Sequence, residues 1–141
     1  MSPAQVAHRD PALFRSTLEL LPAGVYTCDS DGRITWFNAH AAKLWGREPQ
    51  LDHDSDRYCG AFRLLSSHLQ AVPPESSWMA MALRDRRPYL AHEIVIERPD
   101  HSHVTVLCYV TPLLGPDGEL SGAVNIPVSY THLTLPTTER V

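Results

Sequence analysis

Apolar and polar positions alternate in short runs along most of the chain, and three stretches carry the three-to-four-residue spacing of a helix instead. In the first, Asp10 is placed to cap, Pro11 follows it, and Leu13, Phe14, Leu18 and Leu21 recur at helical spacing until Pro22 and Gly24 end the pattern. A short N-terminal helix is expected there. Next come "VYTCD" and "ITWF", rich in β-formers and joined by "SDGR", where Gly32 supplies a positive φ; they predict a hairpin. Asn38 caps "AHAAKLWG", a helix whose Ala41, Ala42, Leu44 and Trp45 point inward before Gly46 stops it. Residues 47–74 hold no steady period and read as irregular, ending in Pro73 and Pro74. Helical spacing resumes from Glu75 to Arg87, with Trp78, Met79, Ala82 and Leu83 on one stripe and arginines near the C-terminal end. Three alternating runs follow, "YLAHEIVIE", "HVTVLCYVTPL" and "ELSGAVNI", separated by the turn formers "RPDHSH" and "LGPDG".

Strands linked in hairpin groups exclude a doubly wound parallel sheet. The expected class is α+β: a five-stranded antiparallel sheet with helices on one face, enclosing a space where a small ligand fits. The length of 141 residues suits one domain, and 12 prolines suit many loops. A net charge of −4 without a run of Lys or Arg argues against nucleic acid as a partner. The start lacks the apolar stretch of a secretory signal and no segment nears the roughly 18 apolar residues of a membrane span, so no membrane contact by this segment and a cytoplasmic location are expected. Cys28, Cys59 and Cys108 are odd in number and far apart, which gives no CxxC pair and suits a reducing compartment.

The stretch "DSDGRITWFNAHAAKLWG" and the late hairpin "TPLLGPDGELSGAVNI" resemble a PAS domain, the sensory module common in histidine kinases and other signalling proteins. The resemblance runs from about Leu13 to Ile126. More narrowly, "LWGREPQL", "RYCGAFRL", "MAMALRDRRP" and "ERPD" resemble a PAS subgroup found ahead of bacterial kinase cores. Two departures stand out: His101-Ser102-His103 where a Gly usually follows "ERPD", and Ser77-Trp78 in place of a Cys-Pro pair. The first touches a turn and the second a helix start, so the fold is expected to be unaffected. The resemblance implies a sensory module taken from a signalling protein such as a histidine kinase, a homodimer formed through the PAS domain and its N-terminal helix, and a downstream kinase domain.

After "AVNI" the Asp-Ile-Thr segment of such domains is absent. The segment "VSYTHLTLPT", from Val128 to Thr137, resembles the translation of a transposase-based sequencing adapter. Residues 1–10 are accordingly read as an N-terminal tail, 11–126 as the domain and 127–141 as a non-native tail set apart from the fold.

Candidate chemistry is sparse. Asp52, His53, Asp54 and Asp56 lack the glycine and terminal Glu of a calcium loop and read as a solvated loop. His101 and His103 lie two apart and would share one side of a strand, but a third metal ligand is not evident and they read as an exposed turn pair. The Asn-Cys-Arg-Phe-Leu-Gln stretch of flavin-binding PAS branches is missing, and the helix before the last three strands has no histidine for haem. Buried Cys28 and Cys108 read as small hydrophobes. Asp29, Glu93 and Glu97 are scattered carboxylates; Asp29 adjoins a turn and is expected to accept bonds from nearby amides. No catalytic residues and no metal site are assigned, so this segment is not expected to be an enzyme.

Strand alternation places Tyr26 with Cys28, Ile94 with Ile96, and Val124 with Ile126 on interior-facing sides, with Met79 and Leu83 closing the space and Trp36 and Leu44 nearby. Packing alone accounts for all ten. No cofactor is expected, and an unidentified small ligand is the sensory alternative. The competing functions are a ligand-free dimerisation scaffold, in which the N-terminal helix and an apolar outer sheet face pair two chains, and a small stand-alone α+β enzyme.

Overall fold

In a computed structural model the described residues are 23–129 together with Ser16 and Glu19. Ser16 and Glu19 are helical; the apolar positions that called for the N-terminal helix, Leu13, Phe14, Leu18 and Leu21, lie outside the described residues.

The first hairpin pairs β1 (Tyr26–Asp29) with β2 (Ile34–Phe37). Asp29 Oδ1 accepts from the amides of Asp31 and Arg33, both at 2.9 Å, which is the turn role expected of it. Helix α1 (Ala39–Trp45) begins where Asn38 Oδ1 accepts from Ala41 N at 2.9 Å, and ends at Gly46, whose N–H reaches Ala42 O. The same Asn38 oxygen accepts from Val25 N at 3.0 Å, so one buried side chain fixes both the helix start and the entry to β1.

Two strands stand in the stretch expected to be irregular. They are β3 (Arg63–Leu65) and β4 (Ala71–Val72), a small hairpin that pairs with β5. Ser66 Oγ closes its loop by accepting from the amides of His68 and Gln70, each at 3.2 Å. Runs of three and two residues are too short for a period to be read, and the pairing comes from the long neighbour rather than from local propensity.

Helix α2 runs from Trp78 to Asp85, three residues later than the spacing places its start. Pro74–Ser76 form a 3-10 turn instead. Ser77 is extended and its hydroxyl accepts from Ala80 N at 3.2 Å, so it acts as the cap and the helix begins after it. Arg86, left-handed at φ 54°, ends the helix.

Strands β5 (Tyr89–Glu97), β6 (His103–Leu114) and β7 (Leu120–Asn125) form the meander that the alternation predicts. Two further residues, Val128–Ser129, form β8 against Val106 and Leu107 of β6. The β6–β8 pairing keeps the register of β6–β7, so β7 and β8 behave as one strand interrupted at Pro127, which has no N–H to give to the ladder.

The sheet is antiparallel throughout, in the order β2-β1-β7-β6-β5-β3-β4, with β8 beside β6. It contains the five expected strands, extended by the β3–β4 hairpin and by β8. Gly122 permits the β1–β7 contact: its φ is 153°, and a Cβ there would sit 2.1 Å from Cys28 O. Both helices pack on one face, where Tyr26, Ile34, Trp45, Met79, Val106 and Val110 are almost wholly buried. Each such side chain contributes roughly 1.5–3 kcal/mol of burial.

Candidate functional site

Between α2 and the inner face of β1, β5, β6 and β7 lies a cavity of about 20 Å³. Tyr26, Trp45, Met79 and Ile96 supply its apolar wall. Asn125 and Ser77 bring polar atoms to it. This is room for one water and far below the several hundred Å³ that drug-sized ligands occupy. An aromatic cofactor ring does not fit among these side chains as they stand.

One hydrogen-bonded chain crosses the core beside the cavity. Tyr26 Oη donates to Tyr58 O at 2.7 Å and accepts from Asn125 Nδ2 at 3.3 Å, while Asn125 Oδ1 accepts from Tyr109 N at 3.2 Å. The Tyr26 ring meets Trp45 edge-on, centroids 4.9 Å apart. Burial raises the Tyr26 phenol well above its ordinary range, and neighbouring Cys59 and Cys28 add to the effect. The three cysteines are free thiols. Burial, the largest cause for each, raises all three, and Cys108 is pushed up to about 12. They are therefore protonated at neutral pH and poor nucleophiles.

Cys59 lines two spaces: the interior cavity and an outer polar groove of about 440 Å³ bordered by Arg47, Asp56 and Glu75. The wall between them is the segment Asp56–Gly60, held at both ends by Arg47, which pairs with Asp56 at 3.1 and 3.2 Å and donates to Gly60 O at 2.6 Å. Burial alone would raise Asp56, but the Arg47 bonds and the Gln50 amide outweigh it and hold the carboxyl below its usual range. Gly60 is pressed against the Trp45 ring, where a Cβ would come within 2.6 Å.

Of the ten residues placed at the interior by alternation, Tyr26, Met79, Ile94 and Ile96 line the cavity. Cys28 and Leu83 are buried in the core without lining it. Leu44 packs partly against the core and borders a separate pocket with Ala23 and His40. Trp36 and Val124 are half-buried on the opposite face, and Ile126 is 37% exposed. On β7 the inward positions belong to Ala123 and Asn125, because Cys28 pairs with Ala123 and Tyr26 with Asn125. The expected phase is inverted there: both faces of that strand are apolar enough to look interior, and the inward Asn125 looks like a surface residue.

The Asp52–Asp56 stretch is a loop whose Asp54 and Asp56 engage Arg33 and Arg47. Glu93 is exposed, whereas Glu97 is buried at the end of β5 with His101 and His103 beside it. Sequence spacing did not indicate that third neighbour, because only the β5–β6 register brings Glu97 opposite His103.

A family profile described as PAS fold matches residues 18–132. The chain belongs to the PAS fold family. Solved structures superpose on it. A LOV domain of the Erythrobacter litoralis EL346 blue-light-activated histidine kinase aligns at 16% identity and TM-score 0.56, covering 78% of this chain and 97% of that one. A domain of a sensory box sensor histidine kinase/response regulator from Geobacter sulfurreducens aligns at 19% identity and TM-score 0.57, covering 84% and 92%. A chain of the Escherichia coli DhaR(N)–DhaL complex aligns at 19% identity and TM-score 0.53; 89% of this chain is covered, and it spans 37% of that one. No curated protein matches the sequence significantly. At these identities the structural likeness bears on the fold alone, a curled antiparallel sheet with few helices.

Proposed function

We propose that this PAS domain is the sensing and coupling module of a signalling protein such as a histidine kinase, with no reaction of its own. A small ligand or a partner contact shifts its packing, and the shift leaves through β7. The observation that carries this reading is the bond from Tyr26 to Asn125. It ties the cavity wall to the strand that ends at the Ile126–Pro127 break, and through the Tyr109 amide to the backbone of β6. An occupant of the cavity has to push Tyr26, Trp45 or Met79, so it acts on that chain of bonds directly. The segment works in the cytoplasm in this reading; among the described residues no helix is long and apolar enough to cross a membrane.

A second reading is a dimerisation scaffold without a ligand, favoured by the small cavity and by apolar residues on the outer face. Leu90, Leu113 and Ile126 are exposed there, and Trp36 and Val124 are half-buried. Two chains would pair through this face and the helix that the sequence predicts near the N-terminus.

The two readings separate by experiment. The chain is screened against small apolar and aromatic compounds by thermal shift and amide NMR, and its association state is measured by sedimentation across concentrations. A compound that moves the Tyr26, Asn125 and Tyr109 resonances together, and is blocked by Cys108→Phe, supports the sensor. No binder, together with a dimer that Val124→Glu dissociates, supports the scaffold and defeats the sensor.

A further inference from the structure

The interior cavity has room for one water, whereas the outer groove of about 440 Å³ falls in the range that small molecules occupy. Most of the charges along it are answered within the chain. Arg47 is paired with Asp56 at 3.1 Å, and Asp54 is paired with Arg33 at 2.8 Å. Two are not: among the described residues neither Arg57 nor Glu75 makes an ion pair. Arg57 turns Nε and Nη2 to Asp31 O and also donates from Nη2 to the Tyr58 hydroxyl at 3.0 Å, which leaves Nη1 without a partner among the described residues. Glu75 stands exposed in the 3-10 turn Pro74–Ser76. Phe62, 50% exposed, and Pro74 supply apolar surface in the same groove.

We propose that this groove is the sensing site and that it takes a small zwitterion with an apolar side group, of amino-acid or dipeptide size. Arg57 donates from Nη1 to the carboxylate of the ligand, Glu75 accepts from its ammonium, and the side group covers Phe62. A ligand bearing only one of the two charges leaves the other residue unanswered, which is the electrostatic basis of the preference. The inference rests on the sensor reading and gives the signal a point of entry at the wall of the core instead of inside it. That wall is built to pass a displacement on. Tyr58 sits at φ 70°, a left-handed position for a bulky residue, and its amide donates to Gly32 O at 2.7 Å while Arg57 Nε holds the neighbouring Asp31 O at 2.8 Å. The Tyr58 carbonyl is the acceptor of the 2.7 Å bond from Tyr26 Oη. A ligand that re-aims Arg57 loosens its hold on Asp31 O, acts on the Tyr58 backbone, and reaches Tyr26 and Asn125 through that bond.

The test titrates the full chain with L-phenylalanine, L-leucine and L-alanyl-L-phenylalanine, followed by calorimetry and amide NMR. Phenethylamine and 3-phenylpropionate, which carry one charge each, are run beside them. Expected are saturation at one equivalent by a zwitterion and shifts at Arg57, Tyr58 and Glu75 that extend to Tyr26 and Asn125. Binding is expected to be about tenfold weaker for the singly charged compounds and for Glu75→Gln. Glu75 and Phe62 are both exposed, so Glu75→Gln and Phe62→Ala keep the fold and the loss reads on the groove. Three results would overturn the site: no saturable binding by all of these zwitterions, equal binding by the singly charged compounds, or Glu75→Gln and Phe62→Ala variants that bind as tightly as the parent. Failure of the sensor reading looks different. Saturable binding that Glu75→Gln weakens, with no resonance moving at Tyr26 or Asn125, keeps the groove as a binding site and defeats the relay.

Discussion

Replacing Tyr26 with phenylalanine isolates the bond network beside the cavity, because it removes one oxygen and leaves the ring against Trp45 in place. Two hydrogen bonds go with that oxygen, the 2.7 Å donation to Tyr58 O and the 3.3 Å acceptance from Asn125 Nδ2. At about 1 kcal/mol net for each, the loss is about 2 kcal/mol, which lowers Tm by roughly 8 °C in a domain of this size. A water entering the 20 Å³ cavity recovers part of the loss, which sets a floor of about 1 kcal/mol. The assay is urea unfolding followed by tryptophan fluorescence, to which Trp45 reports directly. Asn125→Ala completes a double-mutant cycle, and a coupling of about 0.5–1 kcal/mol between the two positions is expected. A loss under about 0.5 kcal/mol for Tyr26→Phe, or strict additivity with Asn125→Ala, refutes the claim that this network links the cavity wall to β7.

Alkaline pH destabilises the fold: thiols whose acidity is suppressed by burial keep their protons while the unfolded chain loses them, so stability is intact below about pH 8.5 and falls as pH rises toward the folded value of about 12 for Cys108. Urea midpoints between pH 8 and 11 check this, and a flat profile contradicts it. Gly122→Ala drives a methyl into Cys28 O and costs more than about 3 kcal/mol, read as the fall in urea midpoint; a loss under 1 kcal/mol shows that the β1–β7 contact relaxes easily. Arg47→Ala frees both ends of Asp56–Gly60 and costs about 1–2 kcal/mol, with amide exchange accelerating from Arg57 to Gly60. Unchanged protection there excludes a pinned wall between groove and cavity.

Local chemistry carried most of the fold into the sequence. Asn38, Gly46 and the Asp29 turn act through neighbours within a few residues, and the long strands β5 and β6 have enough positions to declare an alternation. What the residues hid depends on partners far along the chain. The β3–β4 hairpin exists because β5 offers its edge. The start of α2 lies later than the spacing indicates because Glu75 continues a helical spacing that the Ser77 cap overrides. The inward phase of β7 depends on its register with β1, so alternation alone points Val124 and Ile126 inward where the structure has Asn125. The meeting of His101 and His103 with Glu97 likewise arises from hairpin register, which residue spacing does not encode.

Among the described residues the sheet ends in β2, with four residues, on one side and β4, with two, on the other. On the β4 side, β3 covers only Val95–Glu97 of β5, so the Tyr89–Ile94 edge has no strand beside it there, and the bulge at Ala91 is what interrupts that ladder. A foreign strand joining this rim has to accommodate the kink, which leaves the broad surfaces as the easier place for a neighbour to dock.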